Sequence, residues 1–136
     1  MPFIVWDDLY NIGVPAIDSQ HKQIISIANR MLEALMQQKA TREVPFILKE
    51  MGTYADSHFM IEEENMEKAG FPGLEDHKGQ HKEFREKNFE FQHKLEANDP
   101  SLTAELTIFL TTWVTEHFSM IDHQYVPALK AAGLIP

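Results

Sequence analysis

Apolar residues recur every three or four positions along four long segments of the chain, which is the period of an amphipathic helix. The predicted helices span residues 18–39, 43–69, 74–97 and 100–120. We expect Asp18 to cap the first helix, Pro45 to lie in the first turn of the second, and Asp99 to cap the fourth. Because short loops between long helices favour antiparallel neighbours, the pattern predicts an all-α fold, an up-down-up-down antiparallel four-helix bundle.

The two ends of the chain lack this long helical pattern. Residues 1–17 combine proline and glycine with apolar side chains such as Ile4, which predicts an irregular N-terminal arm that packs onto the bundle. Residues 121–136 are predicted to form a C-terminal segment with a short helix. A chain of 136 residues and 15.7 kDa is long enough for one real core, so we predict a single domain over residues 1–136.

Composition and charge exclude several classes of function. The chain has no cysteine, which rules out disulfides, iron–sulfur clusters, thiolate zinc sites and cysteine nucleophiles. A net charge of −9 disfavours binding to nucleic acid or to anionic lipid. The apolar runs are far shorter than the roughly 20 residues of a membrane span, and the N-terminus has no basic leader region. We therefore expect a cytoplasmic protein without membrane insertion, and a monomer because the helix faces show no large apolar patch.

Histidines are frequent for so small an acidic chain, and five of the seven fall on the apolar stripes. These are His21 in the first helix, His58 in the second, His77 and His81 in the third, and His117 in the fourth. Glu62 follows His58 by one helical turn on the same stripe. A single buried histidine is usually satisfied by a nearby carbonyl or hydroxyl. Burying five imidazoles and a carboxylate without strong partners would cost several kcal/mol per group, so the pattern predicts a metal centre.

Three further residues fit the stripes less well. His93 lies about 160° around the third helix from His77, so we interpret it as a solvated residue. His123 is predicted to lie at the surface or beside the ligands. Asp122 follows His117 by five residues, about 140° on a regular α-helix, so both reach one centre only if the helix bulges there. On spacing alone, Asp122 is equally well explained as a solvated aspartate.

A ligand set of imidazoles and carboxylates narrows the choice of metal. Zinc usually takes four ligands, calcium and magnesium prefer oxygen, and copper(I) prefers sulfur. The set fits two six-coordinate first-row ions best, with iron as the leading candidate. Five histidines, two bridging carboxylates and an oxo or hydroxo bridge would fill about 11 of about 12 octahedral positions. The one open position predicts a site for a small molecule, walled by Phe59, Trp113 and Phe118.

The motifs that carry these residues resemble the haemerythrin family, in particular its single-domain bacterial members. The motifs are Ile17-Asp18-Ser19-Gln20-His21, His58-x-x-x-Glu62, His77-x-x-x-His81, and Trp113 followed by His117-x-x-x-x-Asp122. Trp6 and Gly13 match as well, so the resemblance covers essentially the whole chain. It implies a non-haem diiron centre in which His77, His81 and His117 hold one iron. His21 and His58 would hold the other iron, and Glu62 and Asp122 would bridge both.

The function that the resemblance implies is reversible O₂ binding, for transport, storage or delivery to an O₂-consuming enzyme. Neutral imidazoles favour the ferrous state, whereas the carboxylate-rich diiron sites that cleave O₂ help iron reach higher oxidation states. We therefore expect an oxygen-binding protein that is not an enzyme. Two alternatives stay open, namely an O₂ or redox sensor module and, less favoured, a diiron enzyme of the peroxidase or nitric oxide reductase type.

Overall fold

Four long helices dominate the computed structural model, which describes residues 3–136 except for the side chains of residues 118–121. They are α1 (Pro15–Met36), α2 (Ala40–Lys68), α3 (Leu74–Glu96) and α4 (Leu102–Thr112). The last continues into a π-helix (Trp113–Ile121), a 3₁₀ turn (Asp122–Tyr125) and the short α5 (Val126–Ala131). No strand occurs in the described part of the chain, and none of its helices is long and apolar enough to span a membrane. The all-α prediction is confirmed.

Contacts between neighbouring helices show that they run antiparallel. Near the start of α1, His21 lies 3.1 Å from His58 of α2, measured between the two Nε2 atoms. Further along α1, Arg30 pairs with Glu50, which lies earlier in α2. Ring and hydrogen-bond contacts between α2 and α3, and between α3 and α4, follow the same reversed order. The helices therefore form the expected up-down-up-down bundle.

The first helix begins at Pro15, three residues before the predicted start. Proline suits the first position of a helix because it has no N–H group to leave unpaired. The prediction that Asp18 caps this helix is wrong. Its carboxylate instead accepts hydrogen bonds from the backbone N–H groups of Ile12, at 2.7 Å, and Gly13, at 3.2 Å. Asp18 thus ties the N-terminal arm to the first turn of α1.

The N-terminal arm is packed along α1. The Asn29 side chain accepts a hydrogen bond from the backbone N–H of Ile4 and donates one to its carbonyl, both at 2.8 Å. The ammonium of Lys22 lies 5.0 Å from the centre of the Trp6 ring. These contacts fix the arm, which is irregular apart from one 3₁₀ turn, Asp8–Tyr10.

The second helix begins at Ala40 rather than near Glu43, so Pro45 lies inside it and not in its first turn. A proline at this place removes the hydrogen bond to the carbonyl four residues earlier, which belongs to Thr41. Thr41 is exposed, so water can satisfy that carbonyl and the helix tolerates the proline.

The fourth helix begins at Leu102, after a turn held by Asp99. The Asp99 carboxylate accepts hydrogen bonds from the backbone N–H and the hydroxyl of Ser101, at 2.9 and 2.7 Å. Asp99 therefore stabilises the turn before the helix, and the expectation that it caps the first helical turn is wrong.

The interior contains two apolar clusters with polar side chains between them. The larger cluster fills most of the bundle, and the smaller one comprises Ile12, Ile17, Met66, Tyr125, Leu129 and Ile135. Along α1, Ile17 belongs to the smaller cluster and Ile24 to the larger one, and His21 lies between them. Along α2 the order is reversed, with Tyr54 in the larger cluster, Glu62 in the polar layer and Met66 in the smaller cluster. The candidate site is therefore a polar layer enclosed by hydrocarbon on both sides.

Candidate metal centre

The seven residues predicted as ligands all lie in this polar layer, and none of them is more than 3% exposed. Their potential ligand atoms form two groups, and within each group the atoms lie within 4.8 Å of one another. The three-histidine group contains His77, His81 and His117, the two-histidine group contains His21 and His58, and both groups include Glu62 and Asp122. This division coincides with the one that the motif resemblance implies, although the binding of a metal by these atoms stays a prediction.

In the three-histidine group, every imidazole directs Nε2 at a carboxylate oxygen. His77 Nε2 lies 2.9 Å from Glu62 Oε1 and 2.8 Å from Asp122 Oδ1. His81 Nε2 lies 2.9 Å from the same oxygen of Glu62. His117 Nε2 lies 2.9 Å from the same oxygen of Asp122. Three nitrogens and two oxygens from four elements thus converge on one small volume.

The two-histidine group faces the other oxygen of each carboxylate. His21 Nε2 lies 2.9 Å from Asp122 Oδ2, and His58 Nε2 lies 3.3 Å from Glu62 Oε2. Glu62 and Asp122 therefore each present one oxygen to each group. That is the arrangement by which a carboxylate can bridge two cations.

The π-helix explains how His117 and Asp122 meet. The backbone N–H of Asp122 donates to the carbonyl of His117, five residues earlier, which is the hydrogen bond that defines a π-helix. The wider turn brings both side chains to the same side despite a spacing that would separate them on a regular α-helix. The bulge that the five-residue spacing requires is present.

Three of the histidines bond through their second nitrogen to an oxygen at the edge of the site. The Nδ1 of His58 lies 2.8 Å from Gln20 Oε1, that of His81 lies 2.7 Å from Glu63 Oε2, and that of His117 lies 2.9 Å from Gln80 Oε1. Such outer partners fix the ring and the tautomer of metal-binding histidines. The sequence pattern does not single out these three partners, but each directly neighbours a predicted ligand in the chain, which was the available signal.

These outer bonds determine where the lone pairs of the inner nitrogens point. A carbonyl or carboxylate oxygen only accepts, so Nδ1 of His81 and of His117 must donate, and the lone pair of a neutral ring then lies on Nε2. For His117 this atom faces Asp122, and Nε2 and both carboxylate oxygens are buried with no hydrogen-bond partner in the described part of the chain. Unpaired buried atoms are costly, and a shared cation removes that cost. The residues present therefore fit a metal.

The carboxylates of the layer stabilise positive charge on the groups beside them. Burial alone lowers the pKa of His21 and of His77. Close contacts with the Asp122 and Glu62 carboxylates outweigh burial and raise both pKa values to about 9. Burial raises the pKa of Glu62, but the neighbouring histidines reverse that effect and hold it well below its usual value. Burial lowers the pKa of His117, which keeps that ring neutral. The layer thus holds an anionic carboxylate that attracts positive charge strongly.

Comparison with known proteins identifies the family. Residues 12–129 match the family profile described as "Hemerythrin HHE cation binding domain". The chain belongs to the haemerythrin family. This confirms the resemblance inferred from the motifs.

Several curated members of the haemerythrin family, each named "Bacteriohemerythrin", are similar to this chain over most of its length. The relative from Stenotrophomonas maltophilia is 35% identical over 133 residues, which cover 96% of this chain and 84% of the relative. The one from Pseudomonas aeruginosa is 32% identical over 130 residues, with the same coverage of 96% and 84%. The one from Clostridium acetobutylicum is 29% identical over 126 residues, covering 90% of this chain and 98% of the relative.

Two predicted wall residues of this haemerythrin-family site lie flat against histidines of the three-histidine group. The ring of Phe59 stacks on His81 with 3.8 Å between ring centroids and 3° between planes. The ring of Trp113 stacks on His117 at 3.8 Å and 8°. The side chain of the third predicted wall residue, Phe118, lies outside the described residues. That these rings line an O₂ pocket stays a prediction.

The stacked rings belong to an aromatic layer on the side of the larger apolar cluster. This layer comprises Tyr54, Phe59, Phe84, Phe109 and Trp113. Tyr54, Phe84 and Phe109 were not assigned to the site from the sequence pattern, and of these Tyr54 contacts a histidine. Its ring stacks on His58 with 4.9 Å between centroids and 19° between planes. Its spacing of one helical turn before His58 was the available signal, although an aromatic residue on an apolar stripe is typical of any core.

Tyr125 is a second residue that the sequence pattern missed. Its hydroxyl donates a hydrogen bond of 2.9 Å to Glu62 Oε2, the oxygen that faces the two-histidine group. Burial and the nearby Glu62 charge raise the pKa of Tyr125 well above its usual value, so the phenol keeps its proton. Tyr125 follows Asp122 by three residues, which places both on the same 3₁₀ turn.

The two remaining histidines lie outside both groups. His93 is exposed on α3, and its ring makes an edge contact with Phe89 at 4.6 Å between centroids. His123 is half-buried and follows Asp122 directly. The prediction that His93 is a solvated residue is confirmed.

Proposed function

We propose that this haemerythrin-family site holds two iron ions with an oxo or hydroxo bridge, and that it binds O₂ reversibly. The three-histidine group is the binding site for one iron, and the two-histidine group for the other. Glu62 and Asp122 bridge both. The observation that carries this proposal is the division of each carboxylate, with one oxygen facing each group. A site for a single ion has no need of that division.

The numbers of histidines in the two groups support an open position at one iron only. With both carboxylates shared, the two-histidine group offers one protein ligand fewer than the three-histidine group. Iron bound there would supply a vacant coordination position and the electrons that O₂ binding requires. We therefore place the exchangeable ligand in the two-histidine group.

The surroundings support binding and release rather than turnover. The polar layer excludes bulk water, since its seven residues are almost fully buried. Tyr54 is the one member of the aromatic layer with an ionisable group, and it keeps its proton because burial raises its pKa well above the usual value. We therefore propose a role as an oxygen carrier, store or delivery protein.

The test is to reduce the iron-loaded protein without air, add O₂, and then remove it while recording the visible spectrum and the iron content. We expect two irons per chain and a charge-transfer band that appears with O₂ and disappears when O₂ is removed. His93→Ala should behave like the unaltered protein. Uptake of one zinc and no iron would overturn the diiron assignment, and irreversible loss of the band with substrate turnover would indicate an enzyme.

A further inference from the structure

Tyr54 places a hydroxyl group in the aromatic layer, next to the two-histidine group. The residue is fully buried, and its ring lies nearly parallel to that of His58. Trp113 extends the layer to the three-histidine group, because its ring stacks on His117. The Tyr54 hydroxyl oxygen accepts a hydrogen bond of 3.3 Å from Trp113 Nε1. The Tyr54–Trp113 hydrogen bond therefore connects rings that lie on histidines of both groups.

Of the two hydrogen-bond donors in the Tyr54–Trp113 pair, the Tyr54 hydroxyl is left without an acceptor in the described part of the chain. A tyrosine hydroxyl can accept and also donate, whereas the indole N–H only donates. Trp113 uses its donor on Tyr54. In the described part of the chain, the Tyr54 hydroxyl has no acceptor for its own proton, and its ring neighbours Phe59 and Phe84 offer none. An unused donor in a fully buried place is destabilising unless a ligand accepts it.

We propose that Tyr54 donates a hydrogen bond to the small ligand bound in the two-histidine group. This inference rests on the proposed function and adds a residue to it. The N–H of Trp113 holds the Tyr54 oxygen in place. It also polarises the hydroxyl, since a hydrogen bond accepted by an O–H group strengthens the one that the group donates. Tyr54 therefore favours ligands that carry negative charge on an outer atom.

The test compares Tyr54→Phe with the unaltered protein, both loaded with iron and oxidised, using azide as the probe. Azide binding is followed through its visible charge-transfer band. Loss of one hydrogen bond to a charged acceptor should weaken azide binding about tenfold. Tyr10→Phe is the matched control, because it removes the same atom from a residue of the N-terminal arm and should leave azide affinity unchanged.

A vibrational measurement separates hydrogen bonding from a merely structural role. The stretching frequency of bound azide should shift between H₂O and D₂O in the unaltered protein and in Tyr10→Phe, but not in Tyr54→Phe. If Tyr54 only anchors Trp113, the indole N–H resonance of Tyr54→Phe moves while azide affinity and the isotope shift stay unchanged, and that result would overturn the proposal.

The unaltered protein supplies the remaining checks. Absence of any D₂O shift in its azide complex contradicts the inference even if Tyr54→Phe fails to fold. Failure of the unaltered protein to take up iron would instead contradict the proposed function. The two failures are therefore distinguishable.

Discussion

The three-histidine group and the two-histidine group use the same two carboxylates but are built from different elements. The three-histidine group takes two residues one turn apart on α3 and one residue from the π-helix. The two-histidine group takes one residue each from α1 and α2. The three-histidine group depends on a local departure from α-helical geometry, whereas the two-histidine group needs only two regular helices in antiparallel register.

The surroundings of the two groups differ as well. Phe59 and Trp113 lie flat on His81 and His117 with 3.8 Å between centroids, so hydrocarbon rings cover these two histidines. The Tyr54 ring covers His58 at a longer distance of 4.9 Å and brings a hydroxyl group with it. His81 and His117 of the three-histidine group are therefore covered by rings without a hydroxyl, whereas the two-histidine group lies beside a ring that carries one. This difference supports our proposal that ligand exchange takes place in the two-histidine group.

Replacing a shared carboxylate should have the largest effect, because it alters both groups at once. We expect Glu62→Ala to lose both irons, since one oxygen is removed from each group and five buried imidazoles remain with only Asp122 to balance metal charge. Iron analysis after gel filtration measures this. Glu67→Ala changes an exposed carboxylate on the same helix and should keep two irons. Retention of two irons by Glu62→Ala would show that Glu62 is not a bridge.

Removing one histidine should separate the two groups. We expect His58→Ala to retain one iron, because all residues of the three-histidine group are still present, and to lose the O₂-dependent band because the exchangeable position is gone. Iron content and the visible spectrum together measure this.

Removing a histidine from the three-histidine group is the matched test. His77→Ala should lose iron from the three-histidine group and also the O₂-dependent band, whereas His93→Ala should keep both. Equal effects of His77→Ala and His93→Ala would show that the assignment of helix faces is wrong. Normal O₂ binding by His58→Ala would contradict the asymmetry of the two groups.

Most of the polar layer could be predicted from the sequence because the helical period determines which side chains face the core. His21, His58 and His81 fall on apolar stripes, and an α-helix carries every residue of a stripe to the core. The five-residue spacing of His117 and Asp122 predicts a bulge, but not that it extends through a π-helix of nine residues.

Features that depend on contacts between separate segments of the chain could not be predicted. The pairing of Gln80 with His117 joins α3 to the π-helix, and the position of Gln80 beside His81 does not indicate which histidine it contacts. Asp18 was misplaced because its carboxylate bonds to the N-terminal arm rather than to the helix that contains it. Tyr54 was missed because its hydroxyl contacts Trp113, 59 residues later in the chain.

Changes to the outer hydrogen bonds should have intermediate effects that differ between the groups. Gln20→Leu removes the partner of His58, and Gln80→Leu removes the partner of His117. Loss of such a partner typically weakens metal binding by about 10- to 100-fold. We therefore expect a chelator to extract one iron faster from each variant, from the two-histidine group in Gln20→Leu and from the three-histidine group in Gln80→Leu.

The control for this pair is Gln92→Leu, a glutamine of α3 that bonds to neither group. Its extraction kinetics should match those of the unaltered protein. Loss of the same iron in both test variants would contradict the separation of the two groups, and unchanged kinetics in both would show that the outer bonds do not orient the rings.

The smallest effect is expected for Tyr125→Phe, because Tyr125 belongs to neither histidine group and bonds to a carboxylate that both groups share. Tyr125 donates its hydrogen bond to Glu62 Oε2, and Glu62 serves both groups, so the loss should be shared between them. We expect two irons to be retained and the free energy of unfolding to fall by about 1.5 to 3 kcal/mol, which is typical of a hydrogen bond to a charged group. Urea denaturation of the iron-loaded protein measures this. Selective loss of iron from the two-histidine group would instead mean that Tyr125 supports the single oxygen it contacts, and that the two oxygens of Glu62 act independently.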